Sequence, residues 1–249
     1  MAPPRPRRHA APERAMRSLN RGERALAYAL AGIAGFVDGV GFVWLGGYFV
    51  SFMSGNSTRL AVAVAGGAWE QALFGLGLVA LFIGGVAGGH LIAARASGEQ
   101  ARIRRLLLVE ALLLLVAAWL FRIGMGGSAI PLMVLAMGMA NAIVAPDGQG
   151  FAVTYMTGAL VRIGEGIANS KTGARRTILP WLVLWLALVG GAITGGVLSL
   201  RWGGIVLGLP AAALLALALA VRTPALKPGA GSGTGSGDGP WQNHPPAST

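Results

Sequence analysis

Residues 49–55 of the chain read FVSFMSG, and residues 152–158, which lie 103 positions later, read AVTYMTG. Both stretches end in a methionine, a hydroxyl residue and a glycine, and an arginine follows the glycine by four positions in each. A polar residue also precedes the hydroxyl residue by sixteen positions, at Asp38 and Asn141. A pattern repeated at a fixed distance indicates an internal duplication. The sequence therefore predicts two related halves.

Weaker matches extend the two halves on both sides of these stretches. At the same offset, identical residues occur at the pairs Gly35/Gly138, Gly47/Gly150, Arg59/Arg162 and Ala65/Ala168. Further along, FIGG at residues 82–85 resembles LVGG at residues 188–191, at a slightly larger offset. We place the first repeat at about residues 25–121 and the second at about residues 128–221. Many membrane transporters are built from such repeats.

The composition is that of an all-α integral membrane protein. Hydrophobic residues make up 54% of the 249, only 12% are charged, and the mean hydropathy is +0.64. A soluble domain has about 25% charged residues, so this chain cannot cover itself with polar surface. Six apolar segments approach the roughly 20 residues that a helix needs to cross a bilayer. They span residues 25–45, 71–94, 106–121, 128–145, 178–200 and 203–221.

The two ends of the chain differ from the membrane domain at residues 25–221. Residues 1–24 contain seven arginines and several prolines, which predicts a disordered basic arm on the cytoplasmic side. The apolar run that follows is long and contains Asp38, so we expect a retained first helix rather than a cleaved signal peptide. Residues 222–249 are rich in Gly, Ser and Pro and predict a disordered tail.

The number of crossings depends on the two repeated segments, at residues 49–66 and 151–168. Each has small polar residues in its first half, and the apolar part that remains is about half of a crossing. If neither segment crosses, the arginines of the 95–105 loop lie inside with the other basic clusters. If both cross, those four arginines move outside. The positive-inside rule favours six crossings with two broken or re-entrant segments, which makes the repeats inverted.

Ionisable and polar side chains within the repeats are the candidate site residues. We expect Ser54 and Thr157 to cap short helices whose N-termini, with an arginine in each, form a pocket for a small anionic or polar solute. The alternative is that Arg59 pairs with Asp38 and Arg162 with Glu165 as structural ion pairs. The candidate substrate-binding residues are Asp38, Ser54, Gly55, Asn56, Arg59, Asn141, Thr157, Gly158, Arg162 and Glu165.

Two acidic residues within apolar segments, Asp38 and Glu110, carry separate expectations. Asp38 is a candidate proton-coupling or cation-coupling carboxylate, although its counterpart Asn141 does not ionise. Glu110 lies near the start of its segment, where we expect it at the cytoplasmic interface, paired with Arg105 or a neighbour.

Several functional classes are excluded. The chain has no cysteine, and His90 is the one histidine within an apolar segment, so we expect no metal site, no cofactor and no enzyme activity. The net charge of +11 does not indicate nucleic-acid binding, because the basic residues lie at the ends of apolar segments. The lipid bilayer is the expected partner.

The motifs themselves resemble those of a known family. AGIAGFVD at residues 31–38, FVSFMSGN at 49–56 and YMTG at 155–158 are similar to the YoaK family of bacterial multi-pass membrane proteins. That family often has threonine where this chain has Ser54, a change that keeps the hydroxyl. The resemblance covers about residues 25–221 and implies a domain of unknown function, sometimes described as a small-molecule transporter.

The sequence thus predicts a small-solute transporter or channel with a site between inverted repeats. The expected location is the bacterial inner membrane, with both termini in the cytoplasm. A non-transporting membrane scaffold or a stress sensor is the alternative. A continuous polar cavity at the broken segments favours the first, and a dry interior with paired charges favours the second.

Overall fold

The computed structural model describes residues 21–144, 156–168 and 174–221, and these residues form helices joined by short connections. No strand occurs in these ranges, so the prediction of an all-α fold is confirmed for them. The elements are α1 (Arg21–Trp44), α2 (Met53–Ala65), α3 (Trp69–Ala94), α4 (Glu99–Arg122), α5 (Gly126–Val144), α6 (Met156–Ala168), α7 (Ala174–Trp202), a short 3₁₀ helix (Gly203–Leu207) and α8 (Gly208–Ala220).

All six predicted apolar segments are helical over their described residues, except for Leu45 and Val221 at the ends of two of them. The basic arm contributes residues 21–24 to the start of α1, and residues 1–20 and 222–249 lie outside the described ranges. The segment at 203–221 differs from a plain helix because it begins with the 3₁₀ turn before α8. A rise of about 2.0 Å per residue in a 3₁₀ helix and 1.5 Å in an α-helix gives the two together about 30 Å.

Helix lengths separate the elements into two groups. Four stretches are long and apolar enough to cross a membrane: Arg21–Trp44, Trp69–Ala94, Gly126–Ile143 and the 43-residue stretch Ile178–Ala220, which contains both α7 and α8. The 24 residues of α4 are also long enough, but arginines in its first half lower its hydropathy. In contrast, α2 and α6 have 13 residues each, or about 20 Å, against a hydrocarbon core of about 30 Å.

The outer surface is apolar, as a lipid-facing surface must be. Large hydrophobic side chains are exposed along the long helices, for example Leu73 on α3, Leu200 on α7 and Leu219 on α8, with 68%, 75% and 76% of their surface accessible. A soluble monomer rarely exposes so many large apolar side chains. The helices are therefore suited to a bilayer rather than to water.

Helix α1 lies along α7 with their backbones in direct contact. A Cβ atom placed on Gly35 would overlap the carbonyl oxygen of Leu188 and lie 2.8 Å from its carbonyl carbon. On the opposite helix, a Cβ atom on Gly191 would overlap the carbonyl oxygen of Gly32 and lie 2.9 Å from its carbonyl carbon. Small residues allow such close approach, and the packing and weak backbone contacts that result help membrane helices to associate.

Helix α3 lies along α5 in the same manner. A Cβ atom on Gly138 would overlap the carbonyl oxygen of Phe82, and one on Gly85 would overlap that of Leu135. These residues fall at predicted repeat positions of the first crossing: Gly138 matches Gly35 and Leu135 matches Gly32 at the offset of 103, and Phe82 matches Leu188 and Gly85 matches Gly191 at the larger offset. Each close crossing therefore joins a helix of one half to a helix of the other.

The remaining helices pack around these two pairs. Helix α4 packs on α5 and α8, α2 packs on α3, and α6 packs on α7. At the start of α4, the buried Arg102 donates a hydrogen bond from Nη1 to the carbonyl oxygen of Ala142, at 2.7 Å. A cation placed there satisfies a carbonyl near the C-terminal end of α5. Arg102, which the sequence predicts as a loop charge, thus lies within α4 and packs against α5.

Glu110 is not where the sequence places it. The side chain is fully buried in the middle of α4, and neither carboxyl oxygen has a hydrogen-bond partner among the described residues. Arg105 instead donates to the carbonyl oxygen of Arg95, at 2.7 Å. The expected interfacial pair with Arg105 is therefore wrong, because the α-helical turn directs Glu110 toward α5 and α8 with its buried neighbours Leu106 and Leu114.

The C-terminal ends of α1, α4 and α7 meet at one end of the molecule. The indole Nε1 of Trp44 donates to Ser199 Oγ at 3.1 Å, and the Trp44 ring lies 4.7 Å from the ring of Phe121, measured between centroids. A Cβ atom on Gly204, in the 3₁₀ helix, would overlap the Phe121 ring. These contacts place three helix ends on the same side.

Adding a methyl group at Gly35 tests the glycine crossing. We expect Gly35→Ala and Gly138→Ala to lower the melting temperature by roughly 2–12 °C, because overpacking costs about 1–3 kcal/mol and 1 kcal/mol corresponds to about 2–4 °C in a chain of this size. Tryptophan fluorescence of the purified protein during heating is the measurement. Gly88→Ala is the matched control, since a Cβ atom there meets no atom within 4 Å. Equal melting of all three variants would refute the close contact.

Candidate functional site

The connection between α1 and α2 turns back along α1. Helix α1 ends with hydrogen bonds from the amide of Leu45 to the Gly41 carbonyl, at 2.8 Å, and from Gly47 to the Phe42 carbonyl, at 3.0 Å. Gly46 and Gly47 then adopt φ angles of +60° and +91°, which side chains with a Cβ atom disfavour. The chain that leaves this turn is irregular until α2 begins at Met53.

Asp38 holds the end of this connection. Its Oδ1 accepts hydrogen bonds from the backbone amides of Val50, at 2.9 Å, and Ser51, at 2.8 Å. Its Oδ2 accepts a short hydrogen bond from Ser51 Oγ. The predicted ion pair between Asp38 and Arg59 is wrong, because the Arg59 guanidinium donates to the carbonyl oxygens of Gly46 and Gly47 instead.

Asn56 forms hydrogen bonds with Phe49, the residue before Val50 and Ser51. The side chain is fully buried, its Nδ2 donates to the carbonyl oxygen of Phe49 at 2.7 Å, and its Oδ1 accepts from the amide of Phe49 at 3.0 Å. Asp38 and Asn56 together bind three consecutive residues of irregular backbone. The amide that we expected to contact a solute is thus bonded to the protein itself.

Arg59 completes the set of side chains that hold the connection. Its guanidinium donates to the carbonyl oxygens of Gly47 and Gly46, at 3.0 and 3.4 Å. The Arg59 Cζ atom also lies 4.1 Å from the centroid of the Tyr48 ring, within the range of a cation–π contact. The Tyr48 hydroxyl donates in turn to the carbonyl oxygen of Gln71, at 3.3 Å, which ties the connection to the start of α3.

The expected helix caps are wrong. Helix α2 begins at Met53, so Ser54 is its second residue, and the residue at the cap position, Phe52, makes no side-chain cap. The hydroxyls of Ser57 and Thr58 bond back to the carbonyls of Met53 and Ser54, at 2.8 and 3.1 Å. Such bonds let hydroxyl residues remain within a helix, so the break lies before Met53 rather than across residues 51–58. Thr157 likewise is the second described residue of α6.

Gly55 is a packing residue. A Cβ atom there would lie 2.7 Å from Cδ1 of Phe52 and 3.0 Å from Cε2 of Phe49. The rings of Phe49 and Phe52 meet edge to face, with centroids 5.2 Å apart. The glycine therefore makes room for an aromatic pair beside the start of α2.

In the second half, only part of the region that corresponds to Asp38 and the connection after α1 lies within the described residues. Asn141 is buried and donates from Nδ2 to the carbonyls of Met137 and Gly138, at 3.1 and 3.3 Å. Arg162 and Glu165 form an ion pair at 2.8 Å, so the predicted structural pair is confirmed here. Gly158 lies in the first turn of α6, and the connection at residues 145–155 lies outside the described residues.

A cavity of about 510 Å³ lies beside Asp38. Its walls come from α1, the connection after α1, the start of α6 and α7. The described residues that line it are Asp38, Gly39, Phe42, Val43, Phe49, Ser51, Phe52, Met156, Leu188, Ala192 and Gly196. Of the ten predicted site residues, Asp38 alone is in this lining. The three phenylalanines of the lining were not predicted as site residues, although Phe49 and Phe52 lie within the repeated stretch at residues 49–55.

Comparison with known proteins shows which family the chain belongs to. A family model described as "Protein of unknown function (DUF1275)" matches residues 26–220. The chain belongs to the DUF1275 family. It is also 38% identical over 205 residues to a UPF0700 transmembrane protein of Rhizobium meliloti (strain 1021), which covers 80% of this chain and 87% of that protein. No solved structure matches.

Membership in the DUF1275 family agrees with the structure. The match covers both halves and omits the two ends, as the resemblance to the YoaK family implies. The similarity to a transmembrane protein and the long apolar helices make this DUF1275 member a multi-pass membrane protein.

Substitution of Asp38 tests its role in holding the connection. Asp38→Ala leaves the amides of Val50 and Ser51 without an acceptor, and each unsatisfied donor costs about 1–3 kcal/mol. Asp38→Asn keeps one acceptor oxygen and offers an amide that can donate to Ser51 Oγ. We therefore expect the alanine variant to melt several degrees lower than the asparagine variant, and to be cut faster by protease within residues 45–52. Identical melting and cleavage of the two variants would contradict this role.

Proposed function

We propose that this DUF1275-family protein is a small-solute transporter or channel of the bacterial inner membrane, with its solute site in the cavity beside Asp38. The observation that carries the proposal is the composition of the cavity wall. Helix α1 and the irregular connection come from the first half, whereas α6 and α7 come from the second. Transporters with inverted repeats commonly bind solute between the repeats, at non-helical segments.

Contacts at the helix ends support six crossings. The Tyr48 hydroxyl, just after α1, reaches Gln71 at the start of α3, and Trp44 at the end of α1 contacts Phe121 at the end of α4. If α2 crossed the membrane, about 30 Å of hydrocarbon would separate the residues of each contact. We therefore place α2 as a re-entrant element that enters and leaves on one side.

The depth of the connection agrees with a re-entrant segment. Asp38 lies six residues before the end of α1, or about 9 Å along the helix. Because Val50 and Ser51 bond to Asp38, the chain that leaves α1 returns to that depth before α2 begins. Irregular backbone within a membrane is tolerated where protein satisfies its polar groups, and here Asp38 and Asn56 do so.

The matched glycine crossings support inverted repeats. Helices α1 and α7 meet through the same repeat positions as α5 and α3. An odd number of crossings in each half would invert one half relative to the other, as six crossings require. We place both termini in the cytoplasm on this arrangement, because the basic clusters then lie inside.

Two observations favour the alternative of a non-transporting scaffold or sensor: the described cavity wall is apolar except for Asp38 and Ser51, and the polar residues of the repeats are bonded within the protein. Asp38, Asn56 and Arg59 all bind backbone atoms of the connection, and Arg162 binds Glu165. If the protein is such a scaffold or sensor, the polar residues of the repeats stabilise the fold and water does not enter the cavity. An anionic solute held by the two arginines remains a prediction, and these bonds give it no support. We expect no enzyme activity in either case.

Water access to the cavity distinguishes the two functions. The natural chain has no cysteine, so single cysteines report their own position. We expect Leu188→Cys and Ala192→Cys, in the cavity wall, to react in intact cells or inverted vesicles with a membrane-impermeant maleimide. Ile83→Cys and Ile193→Cys, whose side chains are exposed in the middle of α3 and α7 and outside the cavity lining, are the lipid-facing controls and should react poorly. Equally poor reaction at all four positions would support the scaffold and exclude a transport site.

A separate labelling experiment tests the number of crossings. Single cysteines at Glu70, Ser97 and Ser128 replace exposed residues near helix ends. With six crossings, the first and third react from outside in intact cells, and Ser97→Cys reacts only after the cells are permeabilised. Eight crossings predict the opposite result at all three positions.

A further inference from the structure

The wall of the cavity has one charged group among its described residues. Asp38 provides a carboxylate, Ser51 provides a hydroxyl, and the other described lining residues are apolar or glycine. No arginine, lysine or histidine lies in this part of the wall. The electrostatic character of the cavity is therefore opposite to that of the arginine pocket expected from the sequence.

The Asp38 carboxylate has no cationic partner within the described parts of the chain. Its hydrogen bonds come from two amides and one hydroxyl, which fix its orientation but carry no net charge. A carboxylate offers about four lone-pair sites, so these three donors leave room for a further contact. Charges within a membrane are normally balanced by an opposite charge, and the neighbouring Arg59 is bonded to Gly46 and Gly47 instead.

Aromatic rings surround the same space. The ring of Phe49 lies 5.1 Å from that of Phe42 and 5.2 Å from that of Phe52, and all three line the cavity. Aromatic faces attract cations, and the attraction is stronger where water is excluded. The volume of about 510 Å³ also falls in the usual range of sites for small molecules, about 300–1,000 Å³.

We propose that the cavity binds a small organic cation with an apolar body, whose charge is balanced by Asp38 and whose apolar part contacts the three phenylalanines. This inference rests on the proposed function and specifies its class of solute. It replaces an anionic solute by a cationic one, because the described wall offers a carboxylate and aromatic faces and no group that would bind an anion.

A pair of ions of the same shape and opposite charge tests the proposal. Radiolabelled tetraphenylphosphonium is the probe, and tetraphenylborate, measured alone in a separate binding experiment, is its anionic counterpart. We expect the purified full-length protein to bind the cation saturably, with competition by phenyltrimethylammonium, and to show no saturable binding of the borate. Asp38→Asn should weaken binding at least about tenfold, because it removes the charge and keeps an acceptor for the connection. Glu70→Gln is the matched control, since it removes an exposed carboxylate outside the cavity wall and should leave binding unchanged.

A second variant keeps the test valid if Asp38→Asn fails to fold. Phe42→Leu retains an apolar side chain and removes one aromatic face, so we expect binding of the cation several-fold weaker with an unchanged elution profile. Equal binding of the phosphonium and the borate, or cation binding that neither variant alters, would overturn the inference. If Ala192→Cys reacts with the impermeant maleimide but the cation does not bind, the solute class is wrong and the transport site stands. If Ala192→Cys is also unreactive, the proposed function itself fails.

Discussion

Irregular backbone within a helical membrane domain must find hydrogen-bond partners inside the protein, because lipid offers none. The connection after α1 meets this requirement with side chains from the helices on either side of it. Asp38 binds the amides of Val50 and Ser51, and Asn56 binds both polar groups of Phe49. The position of the connection, the start of α2 and the wall of the cavity all depend on these bonds.

The parts of the fold that follow from local sequence were predictable. Segments of about 20 apolar residues become helices because each satisfies its own backbone, so the six long segments could be located from composition alone. The repeat also identified Gly35 and Gly138 as a matched pair, although it did not reveal which helices meet there. The partners, Leu188 and Phe82, lie far away in the sequence, and pairing at that distance leaves no local signal.

The site was predicted less well than the fold, for a physical reason. Asp38 and Arg59 were chosen because charged groups in a membrane are costly, and a charge was expected to be balanced by another charge or by a solute. Backbone amides and carbonyls form the hydrogen bonds of both residues instead, although they carry no charge that would balance that of Asp38. The residue types of a motif do not reveal this choice, since it depends on how the chain turns at Gly46 and Gly47. Arg162 and Glu165, which are three residues apart on one helix, could be paired correctly from spacing alone.

The close contacts at the glycines group the helices of the membrane domain differently from the two sequence repeats. Because α1 is joined closely to α7 and α3 to α5, each tight pair contains one helix from each repeat. Helix α6 belongs with the first pair, and α2 and α4 belong with the second. If the domain moves as rigid bodies, the moving units are therefore these mixed groups, and the duplicated segments themselves do not move as units. Residues 45–52 are bonded to Asp38 of one group and to Asn56 of the other, so they connect the two groups. The cavity then lies where this connecting segment would bend.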